Sequence, residues 1–180
     1  MASDLFKATA HELSDSDVDA NYRQPPHNME AEQALLGAIL TNNEAANRIG
    51  DYLREEHFFV PVHQRIFAAA TKLIERGQIA NPVTLKQYFE LDDSLTDVGG
   101  AQYLARMAAA ATTIINVEHY ARTIFDLAIR RGLIDIGEDM VNDAFDANID
   151  SEASKQIEAA EQRLFTPVSY THLRAHETGA

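Results

Sequence analysis

Apolar residues return at helical intervals along most of this chain, and residues 25–40 set the pattern. Pro25-Pro26 closes a polar leader and a capping-type residue follows. Met29, Leu36, Ile39 and Leu40 then fall near one another at helical spacing, with Leu35 beside them. This predicts a compact amphipathic helix. Glu30 and Glu32 stand in its first turn, where negative charge meets the positive end of the helix dipole. That accounts for both glutamates better than a role in proton transfer. Gly37, late in the helix, either admits another backbone at close range or simply costs stability. Thr41-Asn42-Asn43 is turn chemistry, and residues 44–53 predict a short helix carrying Ala45, Ile49, Tyr52 and Leu53. Residues 55–60 connect to Pro61, which suits the first position of a helix. Val62, Ile66, Phe67, Ala70, Leu73 and Ile74 form that helix's stripe, and Gly77 caps its end. Asn81-Pro82 opens the next helix as N-cap and first turn, followed by Val83, Leu85, Tyr88 and Phe89. Residues 92–97 read as an acidic turn. Gly99-Gly100 leads into a helix over 101–109 with Tyr103, Leu104 and Met107 inward. No stretch alternates with period two, so the fold class is all-α.

The pattern changes at Asn116. From Val117 to Phe145 there is no proline, and apolar residues recur at Val117, Tyr120, Ala121, Ile124, Ala128, Leu133, Ile134, Met140, Val141, Ala144 and Phe145. A helix of that length spans about 43 Å, whereas a head of roughly 90 residues has a radius of gyration of about 12 Å. It must project from the head or lie across a partner. Asn148-Ile149-Asp150 predicts a tight connection, and residues 151–165 return as a shorter helix with Ile157, Ala160, Leu164 and Phe165 inward. The architecture is therefore a compact helical head over 25–112 and a long antiparallel helical hairpin over 113–166. One short return arm cannot bury apolar residues on several faces of the long helix. Self-association through the hairpin is the simplest relief. Ile124, Leu133, Met140, Val141, Ile157 and Leu164 are the positions assigned to it.

The ends of the chain differ from this body. Residues 1–24 are polar and acidic with no sustained period, and read as a disordered leader. Asp15-Ser16-Asp17-Val18-Asp19 has the opening of a calcium loop, but Ala20 stands where glycine is needed and Pro26 where the closing acid should fall. Thr166-Pro167 is expected to stop the last helix. Residues 167–180 show no amphipathic period and read as a disordered tail or as foreign sequence, the second being preferred.

Composition and charge narrow the function. The chain has 180 residues, 46% of them hydrophobic, which is enough for a real core. It holds no cysteine, which removes disulfides and thiolate metal sites and agrees with a cytoplasmic setting. No apolar run approaches the roughly 20 residues of a membrane helix. With 28 acids against 15 bases and a net charge of −13, direct DNA binding by this chain is not expected. A protein partner fits better. Nine acids between Asp135 and Glu161 face the single base Lys155, so the hairpin tip should attract a basic protein surface.

Catalytic motifs are absent. Gly99-Gly100 lacks the lysine of a phosphate loop, and there is no G-x-G-x-x-G, G-x-S-x-G or H-E-x-x-H pattern. His57 and His63 stand six apart, off the i, i+4 spacing of a helical metal pair, and a buried, hydrogen-bonded histidine is the better reading for one of them. Glu55-Glu56 is solvated charge. Arg130-Arg131 lies within helical reach of Asp126 and Asp135, which favours ordinary ion pairs over a phosphate contact. No catalytic, cofactor-binding or metal-binding residue is assigned.

Several of these motifs together resemble a known family. Pro26-His27-Asn28-Met29-Glu30-Ala31-Glu32-Gln33 followed by Leu36-Gly37 is similar to the P-H-x-x-E-A-E-Q-x-x-L-G opening of the N-terminal domain of DnaB-family replicative helicases. Phe58 and Phe59, His63, Ile66-Phe67, Pro82-Val83-Thr84-Leu85, Val98-Gly99-Gly100 with Tyr103-Leu104, Asn116 with Tyr120-Ala121, and Arg130-Arg131 before Leu133-Ile134 follow in register. The resemblance covers residues 25–165. It implies a head-plus-hairpin domain that oligomerises, as a dimer or within a hexamer built as a trimer of dimers, and that docks primase during DNA replication. The parent protein it implies is an ATP-dependent 5′-to-3′ helicase, whose ATP and Mg bind a RecA-like motor. After Phe165 the chain departs from that pattern, with no linker helix, phosphate loop or DNA-binding loop, and is expected to be a piece cut before the motor. The alternative is a free-standing helical regulator that binds helicase or primase. A genomic continuation into a motor would dismiss it.

Overall fold

The computed structural model of the protein describes residues 23–90, 93–97, 99–111, 116–146 and 152–177. Most of the acidic leader, its calcium-like stretch and the Asn148-Ile149-Asp150 connection lie outside these residues. In chain order the helices are α1 (Met29–Thr41), α2 (Glu44–Asn47), a 3-10 turn (Glu55–His57), α3 (Pro61–Glu75), α4 (Pro82–Tyr88), α5 (Asp93–Asp97), α6 (Gly100–Ala110), α7 (Val117–Phe145) and α8 (Ala153–Glu177). There is no strand among the described residues, and no helix there is long and apolar enough to cross a membrane.

Local chemistry places the helix ends where the sequence puts them. Asn28 Oδ1 accepts the Ala31 N–H at 2.9 Å, and Asn81 Oδ1 accepts from both Val83 and Thr84 at 2.9 Å while Thr84 Oγ1 answers Asn81 N–H at 3.0 Å. These bonds satisfy donors that the first turn of a helix leaves open. At the end of α3, Gly77 takes φ +70°, its N–H reaches Ile74 O at 2.9 Å, and Gln78 N–H reaches Leu73 O at 2.9 Å. That is the paired closure a left-handed glycine allows.

α1 differs from the expected one-sided helix. It is the centre of the head, packed by α3, α6 and the start of α7. Leu35, Leu36 and Ile39 are fully buried, and Ala31, Ala38 and Leu40 nearly so, while Met29 at its start is exposed. A helix enclosed on every side needs no single apolar stripe. Gly37 admits a close approach: a Cβ there would collide with the Met107 carbonyl of α6. Thr41 Oγ1 adds a bond to Ala108 O at 3.0 Å across the same contact.

Three boundaries depart from the sequence reading. The helix expected over 44–53 stops at Asn47 and continues as turns, yet Ala45, Ile49 and Leu53 are all buried. Residues 93–97 form a short helix instead of a turn, anchored by buried Leu95. The last helix does not stop at Pro167 but runs on to Glu177. A proline inside a helix forfeits one ladder bond at about 3 kcal/mol, which penalises a helix without necessarily ending it.

Gly37→Ala gains at most about 1 kcal/mol of helix propensity, against about 1–3 kcal/mol for overpacking. We expect a net loss of stability in urea denaturation. A more stable variant would contradict the close α1–α6 contact.

Candidate functional site: a helical hairpin joined to the head at one arginine

Two polar devices hold the head together and tie the hairpin to it. The first is built on Glu32, only 2% exposed in the first turn of α1. Its Oε1 accepts Phe59 N–H at 2.6 Å and its Oε2 accepts Val60 N–H at 3.3 Å, just before α3 begins. His63, fully buried on α3, places Nδ1 2.6 Å from Glu32 Oε2 and Nε2 2.6 Å from the Tyr103 hydroxyl of α6. Gln33 Nε2 donates to the same hydroxyl at 3.1 Å. With the proton on Nδ1, donors and acceptors alternate along the chain from Gln33 through Tyr103 and His63 to Glu32. No buried side-chain nitrogen or oxygen among the described residues lacks a partner. His63 is thus the buried, bonded histidine the spacing suggested, and α1, α3 and α6 are locked by one network.

The second device is Arg131. Its guanidinium donates to Pro26 O at 2.8 Å and to His57 O at 2.7 Å, and lies over the Phe59 ring at 5.5 Å. His27 stacks on Phe59 at 4.2 Å between centroids. Partial burial pulls the Arg131 pKa down, opposed by the fields of Glu32 and then Asp135. Arg130 makes the expected pair with Asp126 at 2.8 Å, on the exposed side of α7. Arg131 departs from the ion-pair reading, because its place beside the head offers two backbone carbonyls in the fork geometry a guanidinium fits.

α7 is shared between head and hairpin, so the boundary expected at residue 113 falls further along the chain. Val117, Ala121 and Ile124 are part of the head core, and Phe125 packs edge-on against Tyr52 and His57. Ile124, assigned above to self-association, is 2% exposed within its own chain and cannot face a second copy. It falls on the buried side of α7 because its first two turns lie against α1. The other five assigned residues are exposed: Leu133 and Met140 on α7, Val141 beside them, and Ile157 and Leu164 on α8. Ile134, Phe145 and Phe165 on the same two helices are exposed as well.

The hairpin arms touch lightly. Gln156 Nε2 donates to Asp143 O at 3.0 Å, and Arg163 reaches Asp139 at 3.4 Å and Asp143 at 3.5 Å. Between the arms lies an open cleft of about 220 Å³, lined by Met140, Asp143, Ala144, Ile157, Ala160 and Arg163. Among the described residues no group of three His, Asp or Glu is arranged to hold a metal. The hairpin and its junction with the head therefore offer surface, charge and a joint.

Sequence reasoning missed Glu32 and Arg131. A signal existed for each. Glu32 stands three and four residues before Leu35 and Leu36, on the core side of α1, and Arg131 stands seven after Ile124, on the same side of α7.

Residues 24–126 match the family model described as the DnaB-like helicase N terminal domain. The replicative DNA helicase DnaB of Rickettsia felis is 47% identical over 140 residues, covering 78% of this chain and 28% of that protein. That of Geobacillus stearothermophilus is 34% identical over 146 residues, covering 78% of this chain and 32% of that protein. The chain thus spans about a third or less of the length of these curated relatives. The crystal structure of the N-terminal domain of DnaB helicase from Mycobacterium tuberculosis superimposes with a TM-score of 0.72 at 27% identity, covering 79% of this chain and 99% of that one. A structure of a DnaB-like replicative helicase and its interactions with primase superimposes with a TM-score of 0.63 at 23% identity, covering 78% of this chain and 31% of that one, a likeness of fold.

Two outcomes follow from the polar devices. Glu32→Ala strands two backbone N–H groups and His63, and should cost about 3 kcal/mol or more. Glu30→Ala removes an exposed first-turn charge and should cost at most about 1 kcal/mol. Equal losses for both in chemical denaturation would return Glu32 to the dipole explanation. The His57 pKa is lowered, chiefly by burial, with Arg54 and Arg131 adding to the effect and Glu56 and Glu55 opposing it. Its Nδ1 accepts Arg54 N–H at 3.0 Å, a bond that protonation there would end. The unfolded chain then binds this proton first, so His57 makes stability fall as pH drops below the ordinary value of 6.5, levelling off below the folded pKa. Thermal melts from pH 7.5 to 5 should show a shallower acid loss for His57→Gln than for the parent.

Proposed function

The chain belongs to the family of DnaB-like helicase N-terminal domains, and on that premise we propose that it is the oligomerisation and primase-docking part of a replicative helicase. The observation that carries the reading is the hairpin surface. Val141, Ile157, Phe145 and Phe165 are 55%, 62%, 86% and 73% exposed, on two helices that extend beyond the head. Burying such side chains stabilises by about 1.5–3 kcal/mol each, and no described residue covers them. A second copy presents the same apolar surface. Gly132 and Gly137 support this assignment, since a Cβ at either would meet nothing within 4 Å among the described residues, so no packing there accounts for them. A helix-interior glycine costs about 1 kcal/mol relative to alanine.

Primase docking rests on the charge of the same element. The acids around Asp139 and Asp143 leave the hairpin strongly negative, with Arg163 drawn inward to pair with them. A basic protein surface is the complementary partner, and charge of this kind steers association. In this reading ATP, Mg and DNA unwinding belong to the remainder of a longer helicase chain, in the cytoplasm. This segment contributes assembly and recruitment.

Sedimentation velocity at micromolar concentration should show a dimer or a larger assembly. Met140→Asp combined with Ile157→Asp should shift it to monomer while helical content is retained. An unchanged oligomeric state would overturn the assignment. Glu138→Lys with Glu158→Lys should weaken primase binding severalfold in calorimetry and reduce its salt dependence. Equal affinity at all salt concentrations would remove the hairpin tip from the primase contact.

A further inference from the structure

We infer that Arg131 is a releasable latch that sets the angle of the hairpin on the head. The inference is independent of which partner the hairpin meets. α7 leaves the head core after Ile124 and Phe125, the last of its residues packed there. Seven residues on, about 10 Å along the helix, Arg131 makes the next tie, with one arm of its fork on Pro26 O and the other on His57 O. These carbonyls come from two separate head segments, the approach to α1 and the 3-10 turn before α3. A group bonded to both fixes α7 in two directions at once. The ring of Phe59 beneath the guanidinium, itself stacked by His27, supplies a floor.

The lever arm makes this tie consequential. From Ile124 to Phe145 the helix rises about 31 Å, three times the distance to the latch. A displacement of about 1 Å at Arg131 therefore becomes about 3 Å at the end of α7. The tie is also one that can open. Both acceptors are neutral carbonyls, and hydrogen bonds to neutral acceptors are weaker than those a guanidinium makes to carboxylate or phosphate. Arg131 is half-buried, so opening does not require the head core to unfold. Arg131 is a positioning residue: it acts by aiming the hairpin, and the apolar surface beyond it moves as a lever.

The test uses the absence of cysteine from the chain. Lys72→Cys on α3 and Lys155→Cys on α8 are both at exposed positions and accept spin labels without competition. Double electron–electron resonance, with labelled protein diluted in unlabelled protein to suppress distances between copies, reads the angle directly. The parent should give one narrow distance distribution. Arg131→Ala should broaden it or move its centre by several ångströms, and Arg131→Lys should do so in part, since one ammonium cannot span both carbonyls. Two controls separate aim from stability. Arg130→Ala breaks an exposed pair on the same helix, and Gly37→Ala destabilises the head at the α1–α6 contact, which involves none of the latch residues. Both should keep the parent distribution. If Arg131→Ala fails to fold, Arg131→Lys decides. A parent-like distribution in the folded Arg131 variant, or equal broadening in either control, overturns the latch.

Discussion

A carboxylate buried in an apolar core must be fully hydrogen-bonded, and that requirement at Glu32 organises the head. Its partners are the N–H groups of Phe59 and Val60 and the imidazole of His63. Meeting them fixes where α3 begins relative to α1. His63 in turn reaches Tyr103 and so fixes α6. The apolar residues of these helices could pack in many nearby arrangements of similar area. Only a narrow range of them satisfies this chain of bonds, because an unsatisfied buried donor costs about 1–3 kcal/mol.

The same carboxylate connects the head to its outlying arm. Glu32 contributes to the field felt by Arg131, and one of the two carbonyls that Arg131 bonds, that of His57, stands two residues before the segment that Glu32 holds. The hairpin is therefore aimed by groups that also align the core. Beyond Arg131 the chain contributes little to its own burial: light contacts between the arms, an open cleft, and apolar side chains facing outward. That outward apolar surface is what the proposed assembly would cover.

Much of this was legible in the residues because it follows from short-range rules. Asn28 and Asn81 as N-caps, Pro61 and Pro82 in first turns, Gly77 as a left-handed closure and the span of α7 depend on neighbours a few positions apart. The exposure of Leu133, Met140 and Val141 followed from having too many apolar faces for one return arm. Ile157, Leu164 and Phe165, expected to face inward on α8, are instead exposed, and of that set only Ala160 is buried, because the two arms meet over a narrow strip. Other features depended on distant residues. Glu32 looked like a dipole charge until Phe59 and His63 arrived beside it. Arg131 looked like one half of an ion pair until the 3-10 turn offered it a carbonyl. Ile124 shares the period of Leu133 and Met140, and periodicity alone does not say how far the head climbs along α7.

By itself the sequence determined the class of fold, the capped starts of α1 and α4, the glycine closure of α3, the reserve of apolar surface on the hairpin and its acidic character. Those properties are set by composition and by spacing within a few turns. The tertiary structure decided which polar groups are interior, where head gives way to arm, and at what angle the arm leaves. Each of these depends on contacts between residues 27 to 105 positions apart, such as Phe59 with Glu32 and Arg131 with Pro26. No local period encodes them, because a helix repeats every few residues whatever lies across from it.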